Sequence, residues 1–206
     1  MNEETHNKLK AIKQSFRLMM NGVAAQSMRG KGLEYKINWG VPIVELKKQA
    51  QEIGKDYDLA IELWKEDIRE CRILATMIMP IDKMQPDMTE QWMEQTPTQE
   101  IAEIAAMNLY QYLDYAPVIA FQWIASDKLL YQLCGYNILS RLFMKSKEMN
   151  ERGINEFLDE VRTALQNDNV SLRKSALTCL RHFAEIDEQY EQVAQKAIKS
   201  LNLELF

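Results

Sequence analysis

The stretch DYDLAIELWKEDIRECRILATMIM, residues 56–79, predicts two consecutive helices and with them the fold class. Apolar residues recur every three or four positions through residues 56–66 and again through residues 67–79, which is the spacing of amphipathic helices. Pro80 ends the second run, because proline cannot continue a helix. Helices joined by so short a link are expected to pack as antiparallel neighbours.

Similar helix pairs follow along the chain, and in one of them the second helix is expected at residues 98–114. Their second helices carry a small residue among large apolar ones, at Ala75, Ala106, Gly135 and Ala176. The separations of 31 (106 − 75), 29 (135 − 106) and 41 (176 − 135) residues lie in the range of two-helix solenoid repeats. The small residues are expected to let neighbouring pairs approach closely. The sequence therefore predicts an all-α protein, an α-α superhelix (HEAT-like or ARM-type solenoid) of stacked antiparallel helix pairs with a concave surface.

The repeats are expected to form one domain over residues 1–206. It would consist of an N-terminal helical cap at 1–37, repeats at 38–186 and a C-terminal helix at 187–206. Segment 21–42 holds four of the seven glycines and is expected to be irregular, broken by a short helix.

The cysteines and termini indicate the compartment. Cys71, Cys134 and Cys179 are far apart and lie in apolar helical runs, which argues against a disulfide framework and favours a reducing cytoplasm. The N-terminus is charged and lacks the apolar region of a signal peptide. No apolar run approaches the roughly 20 residues that cross a bilayer, so no membrane partner is expected.

Only two histidines occur, with no cysteine at metal-binding distance in sequence, so no metal site is expected.

The formal net charge of −5 argues against tight nucleic-acid binding by the chain as a whole. Phosphate contacts supply most of such affinity, and they require cations. A local basic surface remains compatible with this balance. The strongest basic cluster in the sequence is Arg173, Lys174 and Arg181.

Four segments in this order and spacing resemble a known family: NWGVPIVELKKQAQEI (38–53), YDLAIELWKEDIRECRILATMIM (57–79), MTEQWMEQ (88–95) and VSLRKSALTCLRHFAE (170–185). The pattern is similar to that of the bacterial DNA alkylation-repair family, the HEAT-like-repeat alkylpurine DNA glycosylases. The matching positions are Gly40, Val41, Leu46, Leu63, Trp64, Glu70, Arg72, Leu74 and Ala75. The likeness covers roughly residues 35–186.

This resemblance implies a stack of helix pairs that holds duplex DNA against a basic concave face. It also implies excision of cationic N3- and N7-alkylated purines by hydrolysis of the N-glycosidic bond. Because such a base is already a good leaving group, the enzyme chiefly stabilises an oxocarbenium-like sugar and positions water. Neither a metal nor an organic cofactor is implied.

The functional positions of the family are largely substituted here. Its Trp-Asp-x-x-Asp run falls on Gln99, Glu100 and Glu103, which makes Glu103 the candidate catalytic carboxylate, one methylene longer than aspartate. Its arginine on the following second helix falls near Leu133, and its second tryptophan falls near Thr178. Gln99, Glu100, Leu133 and Thr178 are thus the candidate cleft positions, without the two aromatic walls and the arginine.

Two interpretations of Glu103 remain open. It could stabilise a sugar cation or activate water as a general base. Alternatively, it is an ordinary acid in the first turns of a helix, where it, Thr98 and Glu100 interact favourably with the positive N-terminal end of the helix dipole.

The basic cluster also has two interpretations. Arg173, Lys174 and Arg181 could grip phosphates from a concave second helix. They could instead pair internally with acids of the preceding segment, for example Asp159 or Asp168. Two further groups are expected to have structural roles: the arginines Arg69 and Arg72, and the tryptophans Trp39, Trp64, Trp92 and Trp123.

Two functions from different classes follow. The first is a DNA alkylation-repair-like protein that resembles the alkylpurine glycosylases, with weak or lost activity because of the substitutions. The second is a non-catalytic HEAT-repeat scaffold that binds a protein partner or DNA.

Overall fold

The computed structural model describes residues 2–146, 149–201 and 205, and these residues form twelve α-helices and no β-strand. The first seven helices are α1 (Glu3–Leu18), α2 (Gly22–Gly30), α3 (Ile43–Ile53), α4 (Tyr57–Lys65), α5 (Arg69–Ile78), α6 (Pro86–Glu94) and α7 (Gln99–Asn108). The last five are α8 (Ala116–Ile124), α9 (Leu129–Phe143), α10 (Glu151–Leu165), α11 (Val170–Ala184) and α12 (Glu188–Ile198). The predicted all-α class is confirmed, and so is the short helix within segment 21–42.

Seven of the twelve described helices begin at a side chain that accepts a hydrogen bond from a backbone N–H of the first turn. Such N-caps satisfy donors that have no partner within the helix, which is why Asn, Asp and Thr mark these starts. The capping residues are Asn2, Asn21, Asp56, Thr98, Asn150, Asn169 and Asp187.

Two predicted helices end earlier than their apolar patterns suggest. The run from 98 to 114 stops at Asn108, because Leu109 leaves the helical backbone region and a 3₁₀ turn follows at Tyr110–Tyr112. The last helix stops at Ile198 and continues as a 3₁₀ turn at Lys199–Leu201. The remainder of that predicted helix lies outside the described residues.

The chain divides into two compact units, Met1–Leu109 and Tyr110–Phe206. In the first unit α1 packs on α4, and α5 packs on α3, α4 and α7. In the second unit α9 packs on α8 and α11, and α11 also packs on α10 and α12. The single domain over residues 1–206, with its three sequence segments, stays a prediction.

Aromatic residues fill both cores. In the first unit Trp64 and Trp92 are buried and stack with ring centroids 4.2 Å apart, and Trp64 donates its Nε1–H to Oε1 of Gln95 at 2.9 Å. In the second unit the buried rings of Phe143, Phe157 and Phe183 are mutually in contact, at centroid distances of 5.1–5.4 Å. Trp123 is also buried, in the second unit. These tryptophans pack the core, as predicted, and Trp39 is half-buried.

The small residues of the second helices are all buried, but the clearest close approach is within a pair. A Cβ on Gly135 of α9 would lie 2.8 Å from the carbonyl oxygen of Ala120 and 2.9 Å from Cγ2 of Ile124, both on α8. Real Cβ atoms do not approach that closely, so glycine is required where α9 crosses α8. The sequence assigned these residues to contacts between neighbouring pairs. At Gly135 the contact is instead with the first helix of the same pair.

None of the described helices has both the length and the apolar character needed to span a membrane.

Candidate functional site

Helix α7 begins at Thr98 and places the candidate acids in its first turns. The Thr98 hydroxyl accepts from the backbone N–H of Ile101 at 3.4 Å and also contacts the Tyr35 hydroxyl at 2.7 Å. Glu100 follows in the first turn, and Glu103 lies one turn further on. The two carboxylates have different surroundings, and these surroundings decide what each can do.

Glu100 is bound by two side chains of its own unit. Arg69, only 1% exposed, donates through Nη2 to Oε1 at 2.6 Å and through Nε to Oε2 at 2.8 Å. Tyr35 donates its hydroxyl to Oε2 at 2.5 Å. A bidentate pair of this kind is the strongest arrangement between a guanidinium and a carboxylate. Glu100 is therefore a structural partner of Arg69.

The same arginine extends the network to the loop before α3. Its Nη1 donates to the carbonyl oxygen of Val41 and to Oε1 of Glu70, both at 3.2 Å. Glu70, fully buried, accepts the backbone N–H groups of Trp39 and Val41, each at 3.2 Å. This buried network fastens the 39–41 loop to α5 and α7.

The network controls the protonation of its members. Burial alone would raise the pKa of Glu100, but the hydrogen bonds from Arg69 and Tyr35 outweigh burial and lower it. Burial and the adjacent Glu100 carboxylate raise the pKa of Tyr35. Glu100 is consequently an anion and Tyr35 a neutral hydrogen-bond donor near neutral pH.

Glu103 is the more available carboxylate. It is half-buried, and its Oε1 accepts the side-chain amide of Gln99 at 2.7 Å. In the part of the chain that the structure describes, its Oε2 has no hydrogen-bond or ion-pair partner. Gln99 and Glu103 lie one helical turn apart on the same face, so position 99 presents an amide beside the acid, not an aromatic ring.

The two remaining candidate cleft positions lie in the second unit, on α9 and α11. Leu133 is completely buried, so it contributes apolar packing and no polar contact. Thr178 is exposed on α11. The roles assigned to these positions, like that of Glu103, stay predictions.

Two residues of the basic cluster bind backbone carbonyls of their own chain. Nη1 of Arg173 donates to the carbonyl oxygens of Asn167 at 2.6 Å and Asp168 at 3.0 Å. Nε of Arg181 donates to the carbonyl oxygen of Leu205 at 2.6 Å. Carbonyl groups orient a guanidinium without neutralising its charge.

The third member, Lys174, is exposed and has no ion-pair partner among the described residues. Of the acids considered as internal partners, Asp159 lies 3.8 Å from Arg162 instead. Asp168 contributes its backbone oxygen to Arg173, not its carboxylate. The cluster thus keeps its positive charge, while its assignment to DNA stays a prediction.

Arg69 and Arg72 have the structural roles that the sequence predicts. Arg72 donates to the carbonyl oxygen of Gln95 and lies over the Trp64 ring, 5.3 Å from its centroid. Arg69 binds Glu70 and also Glu100, a partner that the sequence did not predict. The sequence contains an indication of the Arg69–Glu100 pair. These two residues are 31 positions apart (100 − 69), which is also the separation of Ala75 and Ala106 in the repeat.

The described residues contain no group of three or more His, Cys, Asp or Glu side chains placed to hold a metal ion. Burial raises the pKa of the thiols of Cys71 and Cys179. Neither is a thiolate nucleophile near neutral pH.

Comparisons with known proteins agree with this architecture. Residues 12–202 match the family described as DNA alkylation repair enzyme. The fold is similar, with a TM-score of 0.84, to a solved structure described as belonging to "a new family of proteins related to the HEAT-like repeat DNA glycosylases with affinity for branched DNA structures". The two chains share 18% identity over 94% of this chain and 83% of the other, which confirms the HEAT-like fold. No curated protein sequence matches this one. The chain belongs to the DNA alkylation repair enzyme family.

Proposed function

We propose that this protein binds DNA, with a preference for branched over linear duplex, and excises alkylated purines weakly or not at all. The proposal that excision is weak or absent rests on the contacts that the two α7 carboxylates make. Glu100 is held by Arg69 and Tyr35, and Glu103 shares its face with the Gln99 amide.

Base excision needs a carboxylate held rigidly beside the sugar in a water-poor site. Here the Gln99 amide occupies one oxygen of Glu103, and the glutamate has one more rotatable bond than aspartate. Without an aromatic wall at position 99, water has access to the acid and screens its attraction for a sugar cation. Each difference weakens stabilisation of the transition state.

DNA binding is supported by the family, by the affinity for branched DNA of the structurally similar protein, and by the basic cluster on α11. Arg173 is pre-oriented by its carbonyl contacts, and Lys174 is exposed on the adjacent position. Both side chains can reach phosphates without breaking an ion pair.

The catalytic half is tested by release of 7-methylguanine and 3-methyladenine from alkylated duplex DNA. Wild type is expected to release little, and Glu103→Gln to release no less than wild type. Glu94→Gln is the matched control, since Glu94 is an exposed glutamate at the end of α6. Efficient release by wild type would overturn this half, and its loss in Glu103→Gln but not in Glu94→Gln would assign the catalytic role to Glu103.

The binding half is tested by fluorescence anisotropy on a four-way junction and a linear duplex of equal strand length. We expect tighter binding to the junction and an affinity that falls as salt rises. Arg173→Gln with Lys174→Gln should weaken it, whereas the control Lys196→Gln with Lys199→Gln, on exposed residues at the end of the chain's last described helix, should not. No binding to either DNA at low salt would favour the alternative, a scaffold for a protein partner.

A further inference from the structure

We infer that one face of α1, far in sequence from the α11 cluster, is a second surface that binds the phosphate backbone of a nucleic acid. The inference rests on the proposed DNA binding and adds a surface that neither the family resemblance nor the α11 cluster supplies. The surface, termed here the α1 basic face, consists of His6, Lys10, Lys13, Gln14 and Arg17.

Charge is strongly segregated along the sequence. Residues 1–50 contain nine Lys and Arg against four Asp and Glu, a net +5. Residues 51–206 contain 16 Lys and Arg against 26 Asp and Glu, a net −10. The net charge of −5 therefore conceals a basic N-terminal segment, which can attract a polyanion locally.

The members of the α1 basic face share one side of the helix. At 100° per residue, positions 6, 10, 13, 14 and 17 fall within about a third of the helix circumference. They line a cleft of about 400 Å³, whose opposite wall includes Glu66. With a rise of about 1.5 Å per residue, the face extends roughly 16 Å, enough to follow several successive phosphates of one strand.

The cations of this face are not all neutralised. Lys13 pairs with Glu66 at 2.9 Å. Arg17 lies over the Trp39 ring, 5.5 Å from its centroid, and it and the exposed Lys10 have no carboxylate partner among the described residues. Two positive charges thus face the cleft unpaired, one of them oriented by an aromatic ring.

A membrane surface is the less suitable occupant. A helix that lies in a lipid interface exposes its apolar side to the acyl chains. The apolar side of α1, formed by Leu9, Ile12 and Phe16, is buried in the protein core. The exposed face offers cations and polar groups, which suits phosphates in water.

The test measures the salt dependence of DNA binding for Lys10→Gln with Arg17→Gln. Each phosphate contact contributes about one unit to the slope of log affinity against log salt, so we expect the slope to fall by about 2. The charge-matched control, Lys83→Gln with Lys196→Gln, changes two exposed lysines outside the face and should keep the wild-type slope.

A second variant guards against a folding defect from loss of the Arg17–Trp39 contact. Lys10→Glu with Gln14→Glu alters only exposed positions and leaves that contact and the Lys13–Glu66 pair intact. It should weaken DNA binding without changing the thermal midpoint.

Three outcomes distinguish failure of this inference, failure of the proposed function, and binding of lipid by the α1 basic face. Binding by wild type with an unchanged slope in both α1 variants would overturn this inference and leave the proposed function standing. Absence of binding by wild type would overturn the proposed function itself. Wild-type binding to phosphatidylserine vesicles that both α1 variants lose, with DNA binding unaltered, would assign the face to lipid and also overturn the inference.

Discussion

Two glutamates three residues apart on one helix have different environments, and only one retains an oxygen for a ligand. Glu100 lies against a guanidinium that is 1% exposed, whereas Glu103 lies beside an uncharged amide. Residue type and helical position do not separate them. The difference comes from Arg69 and Tyr35, which reach Glu100 from outside α7, whereas the neighbour of Glu103 is Gln99 of the same helix.

At this scale the first prediction concerns stability. Glu100→Ala should lower the free energy of unfolding by about 3 kcal/mol, because it removes a main partner of the buried Arg69 charge. Glu94→Ala, at an exposed position of α6, should change it by less than about 0.5 kcal/mol. Urea denaturation of both variants measures the difference. Equal effects of the two substitutions would mean that the Arg69–Glu100 pair is not a stabilising contact.

The second prediction concerns pH. The folded-state pKa of Glu100 is lowered from its ordinary value of 4.5, so its contribution to stability is present above that pH. The contribution is lost as the pH falls through the lower, folded-state pKa. Between pH 4.5 and more acidic values, wild type should therefore lose more stability than Glu100→Gln, as measured by urea midpoints. Parallel pH profiles would contradict the assignment.

At the scale of helices, contacts in the first unit follow the repeat. Four hydrogen bonds connect three pairs of residues that lie 31 positions apart: Trp39 with Glu70, Trp64 with Gln95, and Arg69 with Glu100. Equivalent positions of successive repeats therefore lie side by side, as expected when stacked units contact only their neighbours. Their separation equals the 31 residues between Ala75 and Ala106.

The third prediction tests how closely α9 crosses α8. Gly135→Ala should destabilise the protein by about 2 kcal/mol, because the new methyl group would overlap the Ala120 carbonyl and force the helices apart. Gly30→Ala is the control, at the end of α2 where nothing lies within 4 Å of an added Cβ. It should be neutral or stabilise by less than about 1 kcal/mol. Thermal or urea unfolding distinguishes them; similar midpoints for both variants would rule out a tight crossing.

At the scale of the whole molecule, the fourth prediction concerns cooperativity. One domain over residues 1–206 should unfold in a single transition. Trp39, Trp64 and Trp92 belong to the first compact unit, and Trp123 to the second. Tryptophan fluorescence of wild type and of Trp123→Phe should then give urea transitions that coincide with far-UV circular dichroism. A step seen by only one probe would show that the two units unfold separately.

The sequence by itself determined the helices, the repeat spacing and the family. Helical periodicity and side-chain caps act within a few residues, so they can be read from the sequence directly. The apolar pattern predicted that the helix starting at residue 98 continues to residue 114. The helix ends at Asn108 instead, because an apolar run does not reveal that the backbone leaves the helical region at Leu109.

Only the tertiary structure decided which acid is bound and where the close approach occurs. Glu100 is held because Arg69 and Tyr35 reach it from other parts of the first unit, and Gly135 is required because α8 crosses at that point. The physical reason is that burial and long-range partners are properties of packed elements. A single amphipathic segment fixes which face of a helix turns inward, but not which charged groups meet there.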